Sequence, residues 1–344
     1  MDAKFIFLDT EIFVQQNFQY NIGLLAAFRH KVQNGQIHLI TTEITLNEVN
    51  RRIEISLKEA ENALNSFRTK ARILRNIQSP HIVRVFKKLS RKKLLRELRE
   101  QFDNYIDELK PTILTTDSVQ PSTVFSQYFK SLPPFHQTKK KSEFPDAFAM
   151  EALKIFCNNK NSKVMIVSAD PEWQEVANNN DCFEFEERLD QLLHKIQEET
   201  PLIENAKIVI DKLSQQIESM FKDEFLSMGF FVADREAVVK DVTIDDIYHR
   251  EYFIVDIRED EIIFSMDVNV SFNALVEYSM NKVDRYRQFY PERIPPEELY
   301  GYESLAVIGT INWNPSNIEI SKVKEINISN PRNIPLFVED FYGS

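Results

Sequence analysis

The run Phe5-Ile6-Phe7-Leu8, closed by Asp9 and Thr10, constrains the fold more than any other stretch of this chain. Four consecutive apolar residues leave no polar face, so a strand here must be covered on both sides. That is the setting of a parallel sheet between helices. The order that follows agrees. Ile22, Leu25, Ala26 and Arg29 fall in helical spacing and predict a helix over 19–34, stopped at Asn34-Gly35. His38 to Thr42 reads as a second strand. A helix, TLNEVNRRIEISLKEAENAL, is then expected from Thr45, with Glu48 on its first turn. Strand, helix, strand, helix is the pattern of an α/β fold.

Residues 55–110 are expected to be mostly helical. Over 84–109 an apolar stripe recurs with a period of 3.6, and eight cations with one acid, Glu97, occupy 84–99. Residues 111–135, rich in Pro, Ser and Thr, read as loop. A helix is expected from Pro145-Asp146 to Cys157, then a strand over 163–168 ending in Ser168-Ala169-Asp170-Pro171. Residues 201–228 predict one long helix. Beyond Gly229 the period changes to two: Ile262, Phe264, Met266, Val268 and Val270 alternate with polar neighbours. Further strands are expected at 252–257, 305–313 and 318–323, with a turn at Asn312-Trp313-Asn314-Pro315.

The 344 residues suit two domains. A larger α/β unit is expected over 1–195, with a helical insertion at about 55–135. A smaller α+β unit with an antiparallel sheet is expected over 201–344. Charge separates the halves as well. Residues 1–200 hold 28 Lys/Arg against 27 Asp/Glu, whereas 201–344 hold 14 against 26. The first half can approach a polyanion; the second repels one. Two isolated cysteines, Cys157 and Cys182, exclude a disulfide framework and fit a reducing, cytoplasmic setting. No signal peptide and no membrane span are legible.

Four acids stand where a sheet of this kind binds ligands, beyond the carboxyl ends of its strands. Asp9 ends the first strand and Asp170 follows the strand at 163–168. Glu48 and Asp146 lie on helices that can present them to the same edge. Converging carboxylates repel one another, and a hard divalent cation relieves that repulsion. Oxygen-only ligands favour Mg²⁺ or Mn²⁺. Each acid also has an ordinary explanation. Asp9, Asp146 and Asp170 are good helix caps, and Glu48 suits a first helical turn.

The motifs FLDT with Asp9, TLNEV with Glu48, KSEFPDAF with Asp146 and SAD with Asp170 together resemble the PIN domain, a family of metal-dependent nucleases that act mostly on RNA. The resemblance covers roughly 1–190. It implies a Rossmann-like parallel sheet with flanking helices and a Mg²⁺- or Mn²⁺-dependent endonuclease, with RNA ahead of DNA as substrate. A toxin or host-defence role is in keeping with it. It implies Asp9, Glu48, Asp146 and Asp170 as catalytic metal ligands; Glu143, three residues before Asp146 and outside the family pattern, is a candidate fifth. Glu11 and Glu43 leave the choice of glutamate open. Thr10 and Ser168 match hydroxyl positions of the family. Lys139, Lys140 and Lys141 precede Asp146 and suit a nucleic-acid backbone, as do Lys92 and Lys93. The competing reading is a catalytically silent PIN fold that binds nucleic acid or protein. The acidic second domain is expected to regulate the first or to dock a partner; a homo-oligomer stays open.

Overall fold

The computed structural model describes residues 4–77, 79–87, 89–135, 142–233, 237–283, 289–293, 296–329 and 333–337. The chain divides into two compact units, Met1–Leu192 and Leu193–Ser344.

The first unit runs β1 (Lys4–Leu8), α1 (Thr10–Gln15), α2 (Gly23–Gln33), β2 (Ile37–Thr42), α3 (Glu43–Lys70), α4 (Pro80–Val85), α5 (Arg91–Leu109), β3 (Thr112–Leu114), α6 (Pro121–Lys130), α7 (Phe144–Lys160), β4 (Val164–Val167), α8 (Pro171–Asn178) and β5 (Phe183–Glu186). Its strands form one wholly parallel sheet in the order β3-β2-β1-β4-β5. Chain order reverses beside β1, with β2 on one side and β4 on the other. This is the switch point at which parallel sheets open a crevice beyond their strand ends.

Burial explains the apolar run. Ile6, Phe7 and Leu8 are fully buried, and alternation sends Phe7 to the face covered by α7 and α8. Phe7 lies 5.0 Å from the Trp173 ring, and Phe5 meets Phe156 edge-on at 5.3 Å. Burying an aromatic of this size contributes about 1.5–3 kcal/mol, so Phe7→Ala removes a buried anchor of the central strand. Elsewhere in the unit, Phe13 packs on Phe102, and the Tyr105 hydroxyl donates to Leu25 O at 2.9 Å.

Several elements depart from the sequence reading. The six-residue α1 begins directly at Thr10 because Asp9 caps it. Helix α3 starts at Glu43, since the Thr42 hydroxyl accepts from Thr45 N–H at 3.0 Å, and Glu48 therefore sits on its second turn. The periodic stretch 84–109 is broken. Arg68 donates to Val85 O at 2.7 Å and to Lys87 O, satisfying carbonyls that would otherwise continue helix α4. The stretch at 111–135 is not all loop: it carries β3, and Pro121 opens α6 as a first-turn proline.

The second unit contains the end of α9 (Leu189–Glu198), in which the division between units falls. It continues with α10 (Ile203–Lys212), α11 (Ser214–Leu226), β6 (Phe230–Val232), β7 (Ala237–Ile257), β8 (Glu261–Val283), β9 (Phe289–Arg293), β10 (Glu297–Asn312), β11 (Lys322–Ile328) and β12 (Ile334–Leu336). Strands β11-β10-β8-β7 form an antiparallel sheet, with β9 pairing the end of β8. The helix expected over 201–228 is divided at Leu213, and both pieces bury one face in the same core, through Val209 and Ile210 and through Ile217, Phe221 and Phe225. The strand expected over 318–323 begins later, at Lys322. The Asn317 side chain accepts from Glu319 N–H at 3.3 Å and holds a turn there. Two glycines of β10 are dictated by packing: a Cβ at Gly301 would meet the Phe272 ring at 2.2 Å, and one at Gly309 the Phe264 ring at 2.2 Å. Both pairs are directly opposite across the sheet. Among the described residues no helix is long and apolar enough to cross a membrane.

Candidate active site

Asp9 is set by the end of β1. Its N–H donates to Val167 O at 3.0 Å, carrying the β1–β4 pairing one residue past the strand. As the cap of α1, its Oδ1 accepts from Thr10 N–H at 2.6 Å. Its Oδ2 accepts from the buried Ser168 hydroxyl at 2.7 Å. Ser168 follows β4, and its oxygen also accepts from Asp170 N–H at 3.1 Å. One hydroxyl thus joins the two strand ends at the switch point. Asp170 caps α8, accepting from Glu172 N–H at 2.8 Å, with Pro171 in the first turn.

Helix α7 contributes two more acids. Glu143 occupies its N-cap position but makes no side-chain cap bond, and the Ser142 hydroxyl donates to its Oε1 at 2.8 Å. Asp146 lies inside the first turn and does not cap the helix. From α3, Glu48 receives the Thr10 hydroxyl at 3.3 Å. Thr10 and Ser168 are therefore spent on orienting carboxylates.

These groups line one cleft of about 750 Å³. Among the described residues its walls hold six acids, Asp9, Glu11, Glu48, Glu143, Asp146 and Asp170, against two arginines, Arg51 and Arg52, a formal balance of −4. The charges feel one another. Burial pushes the Asp146 carboxyl up to about 8, and the charges of Asp9, Glu48, Glu143 and Asp170 add to it. Burial likewise raises Asp9 to about 6, with Asp170 and Glu48 adding, while the hydrogen bonds from Ser168 and Thr10 pull it down. Glu48 is raised by burial, with Glu143 adding, and is held down by Thr10, Arg52 and Arg51.

The donor set fits a hard divalent cation: the acids offer oxygen only, outnumber the cations beside them and resist ionising together. Each bonded carboxylate oxygen keeps a second lone pair. Among the described residues, no three His, Cys, Asp or Glu side chains are grouped so as to hold an ion as they stand.

Residues 6–173 match the family profile of the PIN domain. The N-terminal unit is a PIN domain. The matched span contains all four acids singled out in the sequence, and PIN domains are a nuclease-type family that engages nucleic acid. No curated protein and no solved structure matches the chain.

The structure also sorts the other candidates. Glu43 is taken by the loop after β3, accepting from Thr116 N–H at 2.9 Å and from its hydroxyl at 2.8 Å, whereas Glu48 faces the cleft. Lys92 and Lys93, at the start of α5, are exposed and are not among the described residues lining the cleft. Lys139, Lys140 and Lys141 lie outside the described residues. Other cations of α5 are structural: Arg91 and Arg99 both reach Glu54 of α3, at 3.3 and 3.2 Å. Sequence reading missed Arg51 and Arg52 in the PIN domain's cleft. The available signal was their spacing, three and four residues after Glu48 and so on the same helix face.

Proposed function

We propose that the PIN domain is a Mg²⁺- or Mn²⁺-dependent endonuclease that hydrolyses RNA. One observation supports this reading: Asp9, Glu48, Glu143, Asp146 and Asp170 line one cleft beside the ends of β1 and β4, where burial and the other four carboxylates push Asp146 up to about 8. Asp9, Glu48, Asp146 and Asp170, with Glu143 beside them, are the residues that would hold the cation. When bound, such an ion supplies Lewis-acid activation of water and neutralises charge developing on the phosphodiester. The chain's own work is positional. Ser168 and Thr10 fix the Asp9 and Glu48 carboxylates, and the first turn of α7 presents Asp146. Burial and the neighbouring acids favour the protonated Asp146 carboxyl, so a cation held there would take the place of that proton and would be held more tightly as pH rises. Exposed cations such as Lys92 and Lys93, and the Lys139–Lys141 run, are assigned to the flanking strand.

The test is incubation of labelled RNA and DNA with Mn²⁺ or with EDTA. Metal-dependent cutting of RNA, lost in Asp9→Asn and Asp146→Asn, is the expected result. Cutting at the parent rate by both variants overturns the site, and binding without cutting favours the silent fold. A toxin or host-defence setting predicts growth arrest on expression of the parent and not of Asp9→Asn. For the acidic residues 201–344 we infer a regulatory or docking role; truncation after Thr200 then raises nuclease activity or RNA affinity.

A further inference from the structure

We propose that Arg51 and Arg52 form a phosphate-binding subsite on the α3 wall of the cleft, gripping the nucleic-acid strand beside the carboxylates. The proposal rests on the nuclease reading above and names the residues that hold its substrate.

Three observations meet here. Both side chains line the same cleft as Asp9, Glu48 and Asp146. Both are exposed, and Ile55, one turn further along the same helix face, is a partly exposed apolar neighbour in that wall. Among the described residues, neither guanidinium has a hydrogen bond or an ion pair. That sets them apart from the arginines committed to the fold. Arg29 is held by Glu108, Arg68 by two carbonyls, Arg91 and Arg99 by Glu54, Arg188 by Asp190, and Arg258 by Asp256 and Glu261.

The alternative role is charge balance for Glu48. A balancing arginine gains most by closing onto its carboxylate, and here Glu48 takes its hydrogen bond from Thr10 instead. Two open forks in an acid-rich cleft suit an anion arriving from outside. The guanidinium is planar and matches phosphate oxygens in pairs. Consecutive residues on a helix project about 100° apart, so the two forks address separate points along a strand. The ligand class is a run of phosphodiesters, and an isolated phosphate uses only half of the subsite.

The experiment uses the full chain and a labelled single-stranded RNA, with a DNA of the same sequence as a second arm. Arg51→Gln, Arg52→Gln, the double variant and the double Lys variant are compared with the parent. KM and kcat are read with Mn²⁺, binding by anisotropy in EDTA, and fold by thermal melting. The double Gln variant is expected to raise KM and the EDTA Kd at least about tenfold, with kcat and Mn²⁺ affinity nearly unchanged. Its salt dependence should flatten by about 0.7 per lost phosphate contact. The double Lys variant should keep the parent's salt slope while binding more weakly. Unchanged KM, Kd and slope overturn the proposal. So does a loss confined to kcat and Mn²⁺ affinity, which assigns the pair to charge balance. A parent that binds the strand without cutting it ends the nuclease reading but leaves the subsite testable by Kd. A parent that neither cuts nor binds either strand ends both.

Discussion

The Ser168 hydroxyl donates to Asp9 Oδ2 at 2.7 Å across 159 positions of sequence. The same oxygen accepts the Asp170 N–H, so one buried side chain sets the spacing between the ends of β1 and β4. Ser168→Ala removes that link and leaves a buried carboxylate with one fewer donor. A lost bond of this kind costs about 1–3 kcal/mol, and outer-shell losses at metal sites typically cost 10–100-fold in affinity or activity. The expected result is a loss in that range in Mn²⁺ affinity or cleavage rate. Parent values for both show the link to be dispensable.

Asp146 and Asp9 titrate at about 8 and about 6, above their ordinary value of 3.8. The folded state therefore binds protons that the unfolded chain has released. Stability from these groups is fully present below about pH 4. It falls as pH rises, through about 6 for Asp9 and about 8 for Asp146. In EDTA the melting temperature of the PIN domain should drop by several degrees between pH 5 and 8.5, and Mn²⁺ should restore it. Asp146→Asn should flatten the upper part of that slope and stabilise the metal-free domain at pH 8.5. Melting can be followed by Trp173 fluorescence in a Trp313→Phe background, since the chain has two tryptophans. An Asp146→Asn slope identical to the parent's rules the account out.

Glu43 and Glu48 are separable. Hydrogen bonds from Thr116 N–H and then its hydroxyl hold the Glu43 carboxyl below its usual range. It ties the start of α3 to the loop after β3. Glu43→Gln should lower the melting temperature while Mn²⁺-dependent cleavage persists. Glu48→Gln should do the reverse, cutting the rate at least a hundredfold with little effect on melting. The opposite pattern would exchange their roles.

In the second unit, Gly301→Ala drives a Cβ to within 2.2 Å of the Phe272 ring. Overpacking of this order costs about 1–3 kcal/mol. The expected result is a lower denaturation midpoint for the β-rich unit, read by Trp313 fluorescence in a Trp173→Phe background. A midpoint equal to the parent's shows that Phe272 can move aside.

The sheet's central strands were legible because their signals are local. Phe5–Leu8 and Val164–Val167 are apolar on both faces and end at acids. Strand β3 was not, being three residues long and fixed by its pairing with β2, about seventy positions earlier. Helix α6 was hidden by composition, since Pro121 reads as a breaker until its first-turn position is known. The break after α4 depends on Arg68, seventeen positions before Val85. The four acids could be named from motifs, but their convergence is tertiary. Placing Glu48 on the cleft and Glu43 on the loop after β3 needed Thr10 and Thr116 in position, and Arg51 and Arg52 stand out only once the helix face they share with Glu48 is known to border the cleft.

Asp9 and Asp170 each lend one oxygen to a helix start while facing the cleft. Alanine at either position removes a cap as well as a charge, so a dead alanine variant does not separate a misfolded domain from an intact one stripped of its chemistry. Asparagine keeps one acceptor for the helix end and removes the charge; at Asp9 its NH2 also faces the Ser168 hydroxyl in place of the second acceptor. The loss-of-function record of this domain will thus be interpretable to the extent that it is written in isosteric replacements.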